Sequence, residues 1–250
     1  MIQSPPTAAV LIIGDEILSG RTADTNLNTI ARFLAALGVD LMEARTVGDR
    51  PDQIVEALNA LRAGHDYVFT TGGIGPTHDD ITADCVAAAF GVALIEHPGA
   101  LAILERRYGD DFNAARRRMT RIPEGGSLIA NPVTDAPGFQ IGNVFVMAGV
   151  PRIMTAMLED VAPRLRTGAV VHARTLRVSG VGEGAVAERL GRAARENRAL
   201  SFGSYPFGAG TDGEIGTNLV VRGRDEAMVT TAVEALQLAL AEEGVETTPE

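Results

Sequence analysis

Lysine is absent: all 22 basic residues of this 250-residue chain are arginine. That excludes a P-loop Gly-Lys pair, a Schiff base and a lysyl-nucleotide intermediate. Charge on a bound phosphate must then be met by arginine, backbone N–H or metal. Compositional bias accounts for the missing lysine, and the exclusion holds regardless. Cysteine is nearly absent too. Cys85 alone leaves no internal disulfide and no multi-cysteine zinc site, and its place on an apolar helix face makes it a core residue, so redox chemistry is not expected. No apolar run approaches the roughly 20 residues of a membrane span. Residues 1–6 lack the basic start and apolar stretch of a secretory signal, so a cytoplasmic protein with no membrane partner is expected. A formal charge of -10 argues against nucleic acid as partner, because phosphate backbones are bound by basic faces. Neither a Gly-x-Ser-x-Gly elbow nor a His-Glu-x-x-His pair occurs, which leaves serine-hydrolase and zinc-protease readings without support.

What the chain does have is a repeating strand–helix pattern. The apolar run at 9–13 is typical of a strand buried on both faces of a parallel sheet. Leu27, Ile30, Ala31, Leu34 and Leu37 follow at helical spacing, then a strand over 39–47. Pro51 opens a helix with Ile54, Val55, Leu58 and Leu61 inward, before a buried strand at 67–69. Right-handed crossovers turn such a series into a parallel sheet with helices on both faces, and ligands sit beyond the carboxyl ends of its strands. Residues 100–121 read as mostly helical, ending in Arg116, Arg117, Arg118 and Arg121, either a solvated face or a lid over an anionic ligand. Short strands at 127–131, 139–141 and 144–147 precede a helix from Pro151 with Ile153, Met157, Leu158, Val161 and Leu165 inward. The pattern then changes. Residues 1–170 form one domain and 171–250 a small β-α-β-β-α domain, with a glycine-rich connection at 208–216, Val229, Val233, Leu236 and Leu240 packing on a three-stranded sheet, and fraying from Thr247. Gly180-Val181-Gly182-Glu183-Gly184-Ala185 imitates a dinucleotide fingerprint, but the unit is too small for that fold and a strand-to-helix turn explains the glycines.

The most informative stretch is Thr70-Thr71-Gly72-Gly73-Ile74-Gly75-Pro76-Thr77-His78-Asp79-Asp80-Ile81-Thr82, a glycine turn between a strand and a helix. Glycines bring N–H groups close to a ligand and a helix start adds its positive end, so the turn suits phosphate. Asp79 and Asp80 would repel bare phosphate unless a divalent metal lies between, or unless one of them caps the helix. A second loop, Gly14-Asp15-Glu16-Ile17-Leu18-Ser19-Gly20 followed by Asp24-Thr25-Asn26, ends the first strand, so Asp15, Glu16, Ser19, Asp79 and Asp80 line one crevice when the two strands are neighbours. Asp49, before Pro51, is a helix cap or a further metal or base carboxylate.

These two loops, together with Ala136-Pro137-Gly138-Phe139 and Gly149-Val150-Pro151, resemble the molybdopterin-binding (MoaB/Mog) domain in its CinA-type branch, over about residues 8–167. The tail, with Gly180-Val181-Gly182-Glu183 and Gly203-Ser204-Tyr205-Pro206, is similar to the small KH-like domain of CinA proteins. Their amidohydrolase domain is not expected here, nor its chemistry. The resemblance implies an α/β three-layer sandwich with a mostly parallel, MogA-like sheet plus a small α+β domain, and a homo-oligomer, dimer or trimer. It implies a pterin or adenine-nucleotide phosphate at Thr71, Gly72, Gly73, Gly75, Pro76 and Thr77, with Asp80 and Asp49 matching acids of the adenylyl-transferring branch. Ala148, Ile153 and Gly184 depart from the proline, glutamate and serine usual in the CinA branch.

The resemblance also implies metal-dependent cleavage of an ADP-ribose-like pyrophosphate. In that expectation N–H groups of residues 72–75 hold one phosphate, and Asp80, with Asp49 or Asp79, holds Mg2+, or Mn2+ or Co2+. Asp15 or Glu16 is the base, and Gly14, Ser19 and Asn26 complete the binding crevice, Ser19 or Asn26 bonding ribose or nucleobase. The alternatives are molybdopterin binding or adenylyl transfer at the same site, and a non-enzymatic ligand-binding or oligomerisation module.

Overall fold

The apolar run near the start becomes β1 (Thr7–Ile13), and its side chains alternate between two cores. Ala9, Leu11 and Ile13 enter one; Ala8, Val10 and Ile12 enter the other. A strand buried on both faces has no polar side to spare, which is why its sequence is continuous rather than alternating. The computed structural model describes residues 4–208 and 215–249 and divides into a first unit ending at Gly168 and a second starting at Ala169.

In the first unit β1 is followed by α1 (Asp15–Leu18), α2 (Asn26–Ala36), β2 (Asp40–Val47), α3 (Pro51–Gly64), β3 (Tyr67–Thr71), α4 (Thr82–Phe90), β4 (Leu94–Glu96), α5 (Pro98–Tyr108), α6 (Ala114–Arg118) and β5 (Arg121–Pro123). Then come β6 (Ser127–Ile129), β7 (Gly138–Ile141), β8 (Val144–Met147) and α7 (Pro151–Val161). The main sheet has the order β2-β1-β3-β8-β7-β6. Its pairs from β2 through β8 are parallel, and β7 and β6 add an antiparallel edge. The core containing Ile54, Leu58 and Leu61 of α3 with Cys85 and Val86 of α4 lies on one face. The core with Ile30 and Leu34 of α2 and Met154, Met157 and Val161 of α7 lies on the other. This is the three-layer α/β sandwich with a mostly parallel sheet. Phe69 and Phe145 stack at 5.2 Å within the second core.

Local departures from the sequence pattern have plain causes. Residues 94–96 and 121–123 form a two-stranded antiparallel ribbon that flanks the expected helical stretch, realised as α5 and α6; three-residue strands carry too little periodicity to read. Along α7 it is Met154 that is fully buried while Ile153 is only partly so, because the helix begins at Pro151 and its buried stripe follows from that start.

The second unit comprises β9 (His172–Ser179), α8 (Glu183–Glu196), β10 (Ser201–Phe207), β11 (Gly216–Gly223), α9 (Glu226–Ala241) and β12 (Thr247–Pro249). Its sheet is antiparallel with order β10-β11-β9-β12. Val229, Val233, Leu236 and Leu240 of α9 fill its core with Leu176, Val178, Leu219 and Val221. The expected three-stranded sheet is four-stranded, and the expected fraying at Thr247 is corrected: Thr247, Thr248 and Pro249 pair with Val178, Arg177 and Leu176 of β9. Most of the glycine-rich connection at 208–216 lies outside the described residues. No helix among the described residues is long and apolar enough to cross a membrane.

Candidate nucleotide site at the glycine loop

β1 and β3 are hydrogen-bonded neighbours, and β8 lies on the far side of β3, so the loops after all three strands meet at one end of the sheet. Glycine permits the meeting. A Cβ on Gly72, whose φ is +102°, would lie 2.2 Å from the Ile13 carbonyl oxygen, and one on Gly149 would lie 3.2 Å from the Gly72 Cα. Asn26 Nδ2 donates to the Gly149 carbonyl at 2.7 Å, tying the start of α2 to the same junction. Asp24 accepts from the Asn26 and Leu27 N–H groups and so holds that helix start in place. Asn26 is only 5% exposed, yet its Oδ1 has no partner. The buried Thr71 hydroxyl is also unpaired.

The orientation of the glycine loop is set by Thr82, which the sequence reading did not single out. Its hydroxyl donates to the Gly72 carbonyl at 2.9 Å, and its N–H donates to the Gly73 carbonyl at 3.0 Å. In a trans peptide the N–H points opposite the C=O, so clamping these two carbonyls against α4 turns the N–H groups of Gly73 and Ile74 outward. The N–H groups of Gly73, Ile74 and Gly75 meet no protein acceptor among the described residues. Gly72 was expected to donate as well, but its N–H is taken by the Met147 carbonyl at 3.3 Å because β3 pairs with β8 up to this point. The donor set is therefore residues 73–75.

Asp80 Oδ2 accepts from the Thr77 N–H at 2.8 Å and from the Thr77 hydroxyl at 2.5 Å, closing a turn that covers exposed Pro76 and Thr77. Its carboxylate lines a small cavity beside Gly73 and Gly75, with Arg118, Arg121 and Phe139. The cavity measures about 20 Å³, enough for one water-sized group. Helix capping by either acid is corrected: α4 starts at Thr82 with no side-chain cap, since Asp80 is spent on Thr77 and exposed Asp79 faces His78 at 3.9 Å.

At the first loop Asp49 Oδ2 accepts from the Asp15 N–H at 2.9 Å, so it fixes the start of α1 and does not cap α3. Gly14 is buried and donates to Val47 O, while exposed Ser19 turns its hydroxyl to the Glu16 carbonyl at 3.3 Å. The two free acids part ways. A Cβ on Gly14 would meet the Glu16 carboxylate at 2.5 Å, and one on Gly48 would meet Asp15 Oδ1 at 2.3 Å. Glu16 thus lies over the junction residue and Asp15 over the end of β2. Cys85 is buried on α4, and burial, assisted by Asp84, pushes its thiol up to about 11. It is a core residue with no nucleophilic character.

Residues 9–167 match the model of the probable molybdopterin binding domain. The chain belongs to that family and stands with its CinA-like members. A CinA-like protein of Gemmatimonas aurantiaca is 37% identical over 218 residues, covering 81% of this chain and 51% of the relative. A protein of Aeropyrum pernix is 36% identical over 254 residues, 96% of this chain and 91% of its own length. The solved structure of the protein CinA of unknown function from Thermoplasma acidophilum is 35% identical with a TM-score of 0.60, covering 63% of this chain and 98% of that one. Residues 170–249 match the model of the FAD synthase middle domain. The chain spans about half the length of the Gemmatimonas CinA-like relative.

Proposed function

We propose that the first unit binds a nucleotide phosphate on the N–H groups of residues 73–75 and cleaves an ADP-ribose-like pyrophosphate with the help of a divalent ion. The observation that carries this reading is the set of three consecutive unpaired N–H groups beside the Asp80 carboxylate and the Arg118 guanidinium. An anion is what such donors accept. Among the described residues no group of three His, Cys, Asp or Glu side chains could hold a metal alone. The donor set does fit a magnesium-type ion that arrives on phosphates and is held by one or two carboxylates, here Asp80 with Asp79. Mn2+ or Co2+ would be held in the same way. Such an ion, when bound, supplies neutralising charge at the bridging oxygen. Asp49, engaged at Asp15, acts as a positioning residue for the first loop.

In the hydrolytic step a water oxygen bonds to one phosphorus, its proton passes to Glu16, and the bond from that phosphorus to the bridging oxygen breaks. AMP and ribose 5-phosphate leave. Glu16 is preferred over Asp15 because it lies over Gly14, whose preceding carbonyl abuts Gly72. Asn26, with its unpaired Oδ1, accepts from a ribose hydroxyl or base amino group. A homo-oligomer, dimer or trimer, belongs to the same proposal and sedimentation measures it. The test is incubation with ADP-ribose and Mg2+, Mn2+ or Co2+ in turn. The expected products are AMP and ribose 5-phosphate, with kcat falling at least about a hundredfold in Asp80→Asn. No product with any of the ions defeats the chemistry.

A second reading, molybdopterin binding or adenylyl transfer to it, is favoured by the family description itself. An adenylylated pterin formed from molybdopterin and ATP would select it. Retained association but no turnover of any substrate would select the non-enzymatic module.

A further inference from the structure

The four arginines that end the helical stretch have different fates. Arg117 makes a two-pronged ion pair with Glu96, at 2.7 and 2.8 Å. Arg116 lies over the Tyr108 ring at 4.2 Å and bonds the Asp111 carbonyl. Arg121 grips Asp84 through both terminal nitrogens, at 3.0 and 3.2 Å. Arg118 is left with a 3.4 Å contact to the Asp80 carbonyl, no carboxylate among the described residues, and a buried Nε without an acceptor. A guanidinium so placed is held in position but not neutralised.

Arg118 and Arg121 line the small cavity at the glycine loop and also a second cavity, of about 400 Å³, on the α3–α4 side. The first holds one water-sized group, which a phosphoryl oxygen satisfies, so the body of any ligand lies elsewhere. The second is within the size range of ligand pockets. Pro51, Val55, Ile81 and Ala88 give it an apolar floor, and Asp84 with the two arginines gives it polar groups on one side. Asp84, its charge met by Arg121, keeps lone pairs that accept from sugar hydroxyls, whereas Arg118, with no carboxylate partner among the described residues, attracts phosphate.

We propose that this second cavity is a ligand subsite, which takes the distal sugar half of a dinucleotide-type pyrophosphate whose phosphates run from the residue 73–75 N–H groups to Arg118. It rests on the nucleotide reading above and adds which part of the substrate is recognised and by what. The distal sugar lies against Asp84 and the apolar floor. AMP, lacking that half, uses only the glycine-loop end.

Calorimetric titration of the full chain with AMP and with ADP-ribose tests it. Wild type should bind ADP-ribose at least about tenfold more tightly than AMP. Ala88 is exposed on α4, so Ala88→Trp fills the cavity without entering the core. It should abolish that margin and leave AMP affinity unchanged. Arg118→Gln should shrink the same margin, and it decides the matter if the tryptophan variant does not fold. No margin in wild type, or a margin kept in both variants, overturns the subsite. Failure of wild type to bind either nucleotide overturns the subsite and the function together. A margin lost in the variants without cleavage of ADP-ribose upholds the subsite and defeats only the hydrolytic step.

Discussion

Asp80 joins a turn to a cavity, and the two roles are separable by one atom. In Asp80→Asn the amide oxygen still accepts from the Thr77 N–H and hydroxyl, so unfolding free energy should stay within about 0.5 kcal/mol of wild type while turnover is lost. Equal loss of stability and turnover would make Asp80 a turn residue only. Asn26→Asp probes stability instead. It sets a carboxylate oxygen against the Gly149 carbonyl where a donor stood, and urea unfolding should show a loss of about 1–3 kcal/mol. At this scale the sequence marks the glycines, acids and Asn26 as candidates, but those residue types at strand ends serve turns and helix starts as readily as ligands, and Asp24, Asp49 and Asp80 each take such a role here. Thr82 is hidden in the sequence, and Arg118 shows only as one of a cluster of four. The role of Thr82 follows from carbonyls nine and ten residues earlier. Arg118 stands apart only because Glu96, Tyr108 and Asp84 have claimed its neighbours.

The junction of β1, β3 and β8 depends on backbone contact, so its glycines are not equivalent to those in open turns. Gly72→Ala should cost at least about 3 kcal/mol, since the added Cβ meets the Ile13 carbonyl in a left-handed backbone. Gly20→Ala, also at positive φ but with nothing within 4 Å, should cost only about 1 kcal/mol. Urea midpoints of the two variants compare them. At the other end of the same strands, Asp66 Oδ2 accepts from the Thr7 N–H at 2.8 Å. That bond first, then the Thr7 hydroxyl and Arg166, holds the Asp66 carboxyl below its ordinary range against the opposing effect of desolvation. A lowered carboxyl favours the folded state above the unfolded value, and the benefit fades as pH falls through the folded value. Asp66→Asn should therefore be less stable at neutral pH, with the deficit closing as pH falls through the lowered folded-state value of Asp66, which urea midpoints at a series of acid pH values would show. Runs such as 9–13 reveal strands because both faces are buried. The ribbon of β4 and β5 and the last strand β12 do not, being three residues each and defined by distant partners.

For the molecule as a whole, each unit has its own apolar core: α2, α3, α4 and α7 pack on the mixed sheet, and α9 packs on the antiparallel one. Leu236→Ala removes volume from the second unit's core and should lower its stability by about 2–5 kcal/mol while leaving AMP affinity unchanged. A parallel change in both quantities would tie the tail to the site. The β-α order and the kinship are legible in the chain itself, since periodicity and spacing survive without coordinates. Which N–H groups remain free is not, because that depends on how peptides turn against α4. The most direct test of the account is therefore an amide NMR titration of the whole chain with AMP. Chemical-shift changes should centre on the Gly73, Ile74 and Gly75 N–H groups. Saturable binding that leaves those three amides unmoved would contradict it.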